Sequence, residues 1–281
     1  MMRKLLLASA VLAAGVAAAP VATAQGGDWS GLYVGAGAGY SFKADDEIVV
    51  FDTDLDGAFD DTVRTGAGAN IFALGFCDGA AKGPTPGDGC RTSDGNVKLS
   101  VRAGYDLQFG NWVVGVVGDY GAVNIGDDVS AYSTTPAASY TLTRDLNAVT
   151  ALRARGGWAG KAGLLYATAG MAWGDMDQTF TTTNTVNSFT PSEDSEVEGY
   201  QIGLGYEVKL GEMWFVGSGW SLGLEYMWTS LDDGDNIVRV GPGTAPATNA
   251  FLVANAAGTN MKRTKDLFEY STVGFTLNWR P

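Results

Sequence analysis

The sequence predicts an all-β chain, an eight-stranded antiparallel up-and-down transmembrane β-barrel with long extracellular loops. Three observations lead there. Residues 97–109, VKLSVRAGYDLQF, set Val97, Leu99, Val101, Ala103, Tyr105, Leu107 and Phe109 on one face, and Lys98, Ser100, Arg102, Asp106 and Gln108 on the other. A strand turns successive side chains to opposite faces, so this stretch has one oil-compatible face and one carrying both signs of charge. Strands of about 9–11 tilted residues with this alternation cross a bilayer, where an open sheet edge is not tolerated. Seven further segments repeat the pattern, and the connections between them alternate between long and short. A soluble β-sandwich would bury one of these faces under a second sheet and would not need Trp and Tyr gathered near strand ends.

The chain opens with MMRK, an apolar run from Leu5 to Ala19, then Pro20 and Ala22-Thr23-Ala24. Those are the charged, hydrophobic and small-residue regions of a secretory signal peptide, too short in its apolar part to span a bilayer. Residues 1–24 are expected to be removed, leaving a single barrel domain over 25–281 that begins at Gln25. No Cys follows the cleavage site, and no later segment is apolar enough for a membrane helix, so insertion must be by strands.

The first strand, 29–42 (WSGLYVGAGAGYSF), turns Leu32, Val34, Ala36, Ala38, Tyr40 and Phe42 outward and Gly31, Tyr33, Gly35, Gly37, Gly39 and Ser41 inward. Its GAGAG run is no nucleotide turn, because neither a helix nor an acidic residue follows at the required spacing. The second is 97–109; Gly110-Asn111 makes a tight turn into the third, 112–122, with Trp112, Val114, Val116 and Tyr120 outward and Asp119 inward. The fourth, 149–158, points Leu152, Ala154 and Trp158 out and Arg153 and Arg155 in. Beyond Gly160-Lys161, the fifth (163–174) has Leu165, Ala167, Ala169, Met171 and Trp173 outside, with Tyr166 and Thr168 inside. The sixth (200–210) opposes Tyr200, Ile202, Leu204, Tyr206, Val208 and Leu210 to Gln201, Glu207 and Lys209. In the seventh (220–229), Trp220, Leu222, Leu224, Tyr226 and Trp228 face out and Ser221 and Glu225 in. The eighth sets Val273, Phe275, Leu277 and Trp279 against Thr276, Asn278 and Arg280. Long polar connections are expected near 43–96, 123–148, 175–198 and 230–267, and short ones near 110–111, 159–162 and 211–219. Long outside and short inside is the barrel pattern, and an even strand count returns both ends to the periplasmic side.

The net charge of −13 becomes −15 once Arg3 and Lys4 leave with the signal, which argues against a nucleic-acid partner. The acids cluster in the expected loops (Asp45, Asp46, Glu47, Asp52, Asp54, Asp56, Asp60, Asp61; Glu193, Asp194, Glu196, Glu198; Asp232, Asp233, Asp235), where they are read as solvated. Forty glycines sit inside the alternation beside eight Trp and eleven Tyr. Inward glycine makes room for long side chains in a narrow barrel, and Trp and Tyr favour the membrane interfaces. The chain has no histidine, which removes Ser-His-Asp hydrolysis, His-dependent acyl transfer and His-ligated zinc or haem. A carboxylate-only glycosidase needs a distinct pair of acids, and none stands out.

The inward Arg102, Asp119, Arg153, Arg155, Glu207 and Glu225, with Lys98, Asp106 and Lys209, are expected to meet across the lumen. Side chains just fill an eight-stranded interior, so these charges read as a salt-bridged plug, with a gated ion path as the alternative. Cys77 and Cys90 bracket CDGAAKGPTPGDGC in the first long loop of an exported chain, and a disulfide is expected. Asp52, Asp54, Asp56 and Asp60, with Gly57, occupy ligand and turn positions of an EF-hand-type calcium loop. Val63 stands where the bidentate Glu belongs, and Asp61 substitutes only along a different loop path, so an acidic turn explains the run equally well. Calcium at this loop is the single cofactor the sequence brings into question.

In order, WSGLYVGAGAGYSF, LRARGGW, LLYATAGMAWGD, EGYQIGLGYEVKL, LGLEYMW and VGFTLNW resemble the small outer-membrane β-barrels of alphaproteobacterial surface antigens, porin-like and related to opacity-type barrels. The resemblance covers the strands and not the loops. It implies an eight-stranded barrel in the Gram-negative outer membrane, in contact with lipid and lipopolysaccharide, inserted by the outer-membrane assembly machinery. Such barrels commonly end on an aromatic residue; this chain ends Trp279-Arg280-Pro281, so Trp279 or Phe275 would supply that signal. The first loop, about fifty residues, is long for the type. Three functions are consistent with these features: a non-enzymatic structural and surface role in the envelope, a narrow porin-like channel for small solutes or ions, and an adhesin or ligand-binding protein acting through the first loop.

Overall fold

The computed structural model describes residues 28–43, 47–92, 95–192, 197–211 and 218–281; the expected signal and Asp45, Asp46, Glu193, Asp194 and Glu196 lie outside them. Eight long strands form the frame: β1 (Gly31–Phe42), β2 (Asn96–Phe109), β3 (Trp112–Thr134), β4 (Ala137–Ala159), β5 (Leu164–Thr182), β6 (Val197–Lys209), β7 (Trp220–Asp232) and β8 (Leu267–Trp279). All pairings among them are antiparallel, in the order β3-β2-β1-β8-β7-β6-β5-β4, and β4 returns to β3 to close the ring. The two ends of the chain meet in that ring, with Val34 opposite Trp279 and Phe42 opposite Ser271. No helix among the described residues is long and apolar enough to cross a membrane.

Period two is kept around the ring. Leu99, Val101, Val116, Leu165, Ile202, Leu204, Leu224 and Phe275 stand exposed on the outer wall, while Arg153, Arg155, Gln201, Glu207 and Glu225 are buried inside. Trp112 and Trp158 meet edge to face at the short-turn end with centroids 4.9 Å apart, as interfacial aromatics do.

The connection expected over 123–148 is instead strand. Beyond the barrel rim β3 and β4 stay paired up to Thr134 opposite Ala137, and β5 follows them to Thr182. Two irregularities hide this in the sequence: pairing shifts between Ala122 and Ile125 in β3 and between Leu146 and Ala148 in β4. Each inserts a residue; in β4 this moves the buried side chains from odd positions (Ala151, Arg153, Arg155) to even ones (Leu146, Arg144, Leu142), whereas β3 keeps its odd positions inward, and bulges of this kind also bend strands. Above Val129 both faces of the hairpin are covered, so alternation stops where burial becomes two-sided.

The other long connections are also folded. Val49–Asp52, Ser188–Pro191, Val238–Gly241 and Thr259–Arg263 form a four-stranded antiparallel sheet from three different loops. Its inner face packs on the tall hairpin around Phe51, Phe72, Tyr140, Phe251, Val240 and Met261. Phe51 stacks on Phe72 at 4.4 Å between centroids, and Tyr140 meets Phe251 edge-on at 5.7 Å. Cys77 and Cys90 are joined in a disulfide, and Phe76–Cys77 adds to the free edge of β3.

Inward glycines make room for rings from the neighbouring strand. Tyr166 lies over its register partner Gly205, where an added Cβ would stand 2.3 Å from the ring. Gly156 faces outward, with nothing within 4 Å of such an atom. Gly205→Val is expected to lower the midpoint of the heat-modifiability shift by overpacking, at a cost of about 1–3 kcal/mol, whereas Gly156→Val leaves it in place. Equal midpoints for the two variants would contradict the inward packing of Tyr166.

Candidate functional site

The interior is built in layers. At the short-turn end Trp29 is fully buried; its backbone N–H donates to Gln108 at 2.8 Å, and the Lys209 and Arg280 cations each lie 5.0 Å from its ring. Lys209 therefore sits at the barrel mouth, exposed, rather than within the expected plug. Above it two arginines bridge the same two carboxylates. Arg280 donates to Asp106 at 3.0 Å and to Glu207 at 2.8 Å, and Arg155 donates to Asp106 at 3.2 Å and to Glu207. Arg155 also stacks 3.9 Å from the Tyr166 ring.

Higher in the lumen Arg102 forms a bidentate pair with Glu225, at 2.8 and 2.6 Å, and the Tyr166 hydroxyl donates to the same carboxylate at 2.6 Å. Arg153 pairs with Asp119 and donates to Gln201 at 2.8 Å. The structure thus joins the six charges singled out in the sequence as Arg102–Glu225, Arg153–Asp119 and Arg155–Glu207, and adds Asp106 and Arg280. Planar guanidinium forks suit such pairing, and removing one partner of a buried pair costs about 3–5 kcal/mol.

An apolar belt follows, made of Val123, Ile125, Leu146, Val149, Leu231, Phe268 and Tyr270. Over the belt lies a second ionic cluster that no spacing in the sequence announces, because its members come from the loops and the strand extensions. Arg144 donates to Glu47 at 2.6 Å, to Asp233 at 3.1 Å and to Asp127. Arg263 reaches Glu47 and Asp127, both at 2.7 Å, and the carbonyls of Asp127 and Leu142. Lys43 completes the set with Asp127 at 2.7 Å and Glu47 at 3.0 Å. Glu47, Asp52 and Asp233, expected in solvent, are buried. Arg144 and Phe268, 5.2 Å apart, couple cluster to belt.

The acidic loop gathers a set different from the one expected. Carboxylate oxygens of Asp52, Asp54 and Asp61 lie within 4.8 Å of one another, and Asp56 and Asp60 are not among them. Asp61 is brought in by its backbone bridge to Phe51, while the Asp56 carboxylate turns to the Ala58 N–H at 2.8 Å. Asp52 already accepts from the Leu55 and Gly57 N–H groups and from Asn260, as a buried turn carboxylate does. The Thr53 backbone N–H and hydroxyl, each 2.8 Å from Asp61, hold its carboxyl below the usual range.

A closed antiparallel ring, apolar outside and charge-paired within, is a lipid-spanning β-barrel. The chain belongs to the outer membrane protein beta-barrel domain family, whose model matches residues 9–280, and its place is the Gram-negative outer membrane, among lipid and lipopolysaccharide. No curated protein matches the sequence. Among solved structures, the outer membrane protein OprG from Pseudomonas aeruginosa is similar at TM-score 0.46 and 13% identity, over 92% of this chain and 100% of that one. The outer membrane protease OmpT from Escherichia coli gives 0.40 and 8%, over 89% and 96%. Ail, the attachment invasion locus protein of Yersinia pestis, gives 0.30 and 8%, over 88% and 99%. At these values the likenesses carry no inference about activity.

Burial raises the Asp233 carboxyl from its ordinary 3.8 to about 6, against the pull of Arg144. Folded protein then keeps this proton where unfolded chain has lost it, so the contribution is complete below pH 3.8 and is lost as pH rises through about 6. Protease resistance of the cap is expected to fall across that window by about 3 kcal/mol, and Asp233→Asn should flatten the slope. A slope of the same size in Asp233→Asn would assign it to another group.

Proposed function

We propose that this protein is a closed, non-catalytic barrel whose role is structural, anchoring a folded, disulfide-tied cap at the cell surface. The observation that carries this reading is the succession of paired charges, apolar belt and second ionic cluster along one lumen. Its buried carboxylates are committed to arginines or N–H donors, which leaves no free acid pair within the lumen among the described residues, and histidine is absent from the chain. A cap with its own aromatic core, Phe51, Phe72, Tyr140 and Phe251, presents a fixed surface rather than loose loops. The porin-like alternative lacks a comparable supporting observation.

Export through residues 1–24, maturation at Gln25 and insertion by the outer-membrane assembly machinery belong to the same proposal. Phe275 and Trp279 point outward on β8, where a recognition signal would be read. Phe275→Ala combined with Trp279→Ala is expected to cut the amount of heat-modifiable protein in outer membranes several-fold, with no defect when the purified chain is refolded in detergent; equal losses in both assays would make the effect one of stability.

Single-channel recording on refolded mature protein tests the closed lumen. Wild type with verified insertion is expected to be silent. Arg153→Ala combined with Arg155→Ala is expected to stay silent because the belt above still seals, while unfolding at a markedly lower temperature. Reproducible conductance steps in wild type would replace the structural reading with a pore.

A further inference from the structure

One lumen charge has neither a hydrogen bond nor an ion pair among the described residues, although Asp119 and Glu225 lie within electrostatic reach of it. Within the membrane-spanning ring Lys98, Arg102, Arg153, Arg155 and Arg280 face only Asp106, Asp119, Glu207 and Glu225. The four arginines are paired as described; Lys98, 8% exposed, donates no hydrogen bond and joins no ion pair among the described residues. Its stem crosses Gly121, where an added Cβ would stand 2.8 Å from Lys98 Cε. Lys98 lines a cavity of about 30 Å³ together with Ser100, Arg102, Asp119, Arg153 and Thr276.

Three other donors there are unsatisfied. Arg102 Nε, Arg153 Nε and Thr276 Oγ1 are buried without a hydrogen-bond partner, and each belongs to a residue of this cavity wall. The nearby carboxylates already hold arginines: Glu225 takes Arg102 with both oxygens and Asp119 takes Arg153 through Oδ2, so neither is left to Lys98 alone. A buried ammonium needs a counter-charge, and a neutral water cannot supply one. Water also offers only two acceptor sites to a wall of N–H and O–H donors, whereas an anion accepts from all of them through charge-assisted hydrogen bonds.

We propose that this cavity binds a small monovalent inorganic anion, of halide size, as the counter-ion of Lys98. The volume admits chloride or bromide, and gluconate, a much larger organic anion, serves as the comparison. The ion makes the lumen neutral and converts the orphaned Nε–H groups into ligands. It sits between the arginine pairs and the apolar belt, as a component of the closed interior. This inference does not depend on the conductance result: a silent barrel and a conducting one can each hold the ion.

The test uses the mature barrel refolded in sodium bromide, chloride or gluconate at equal ionic strength. Crystals from bromide should show anomalous density in the cavity beside Lys98. The midpoint of thermal unfolding should be a few degrees higher in chloride than in gluconate and should climb by equal steps per tenfold chloride once the site is saturated. Lys98→Met, which keeps the stem and removes the charge, should lose that increment; subtracting it from wild type also removes general salt effects. Water alone in the cavity, or a chloride increment that survives in Lys98→Met, would overturn the proposal. Should Lys98→Met not fold, the bromide density in wild type decides alone.

Discussion

Closure of the backbone hydrogen-bond ladder in lipid is the constraint on which everything else in this molecule rests. Hydrocarbon offers no partner to an exposed N–H or C=O, so the sheet must meet itself, and it does so where β1 and β8 pair from Val34–Trp279 to Phe42–Ser271. A ring of eight strands leaves an interior only as wide as the side chains that fill it. The alternation that makes the outer wall apolar then forces the polar half of every strand into that narrow space.

Polar filling of a low-dielectric lumen has few solutions. Arginine answers it by spanning two acceptors at once, as Arg155 and Arg280 do between Asp106 and Glu207, while Tyr166 supplies both a ring for Arg155 and a hydroxyl for Glu225. Such pairs do little for net stability compared with an apolar core, but breaking one is costly, so they make the interior intolerant of partial opening. The same solution recurs outside the membrane, where Arg144 and Arg263 tie loop acids to the tall hairpin. One set of contacts therefore both closes the lumen and fixes the cap upon it.

Much of the barrel was legible because lipid enforces period two without exception over about ten residues per strand. The inward charges Arg102, Asp119, Arg153, Arg155, Glu207 and Glu225 could be assigned to the lumen from parity alone. Their pairing could not, since strands distant in sequence supply the partners: Arg102 and Glu225 are separated by 123 positions. Above the rim the rule lapses. The bulge at Leu146–Ala148 changes the phase of β4, and two-sided burial in the upper hairpin removes the contrast between faces, so 123–148 looked like a loop. Likewise Glu47, Asp52 and Asp233 looked solvated because an acid in a loop carries no local mark of the arginine or N–H that will cover it.

By itself, then, the sequence determined the strand count, the two faces of the wall and the disulfide-bearing loop, because each depends on residues close together in the chain. Tertiary structure alone decided which carboxylate each arginine holds, that three loops build one sheet, that Asp61 rather than Asp56 or Asp60 joins Asp52 and Asp54, and that Lys98 is left without a hydrogen bond or ion pair among the described residues. Those outcomes depend on distances between segments brought together only by ring closure, and no periodicity along the chain encodes them.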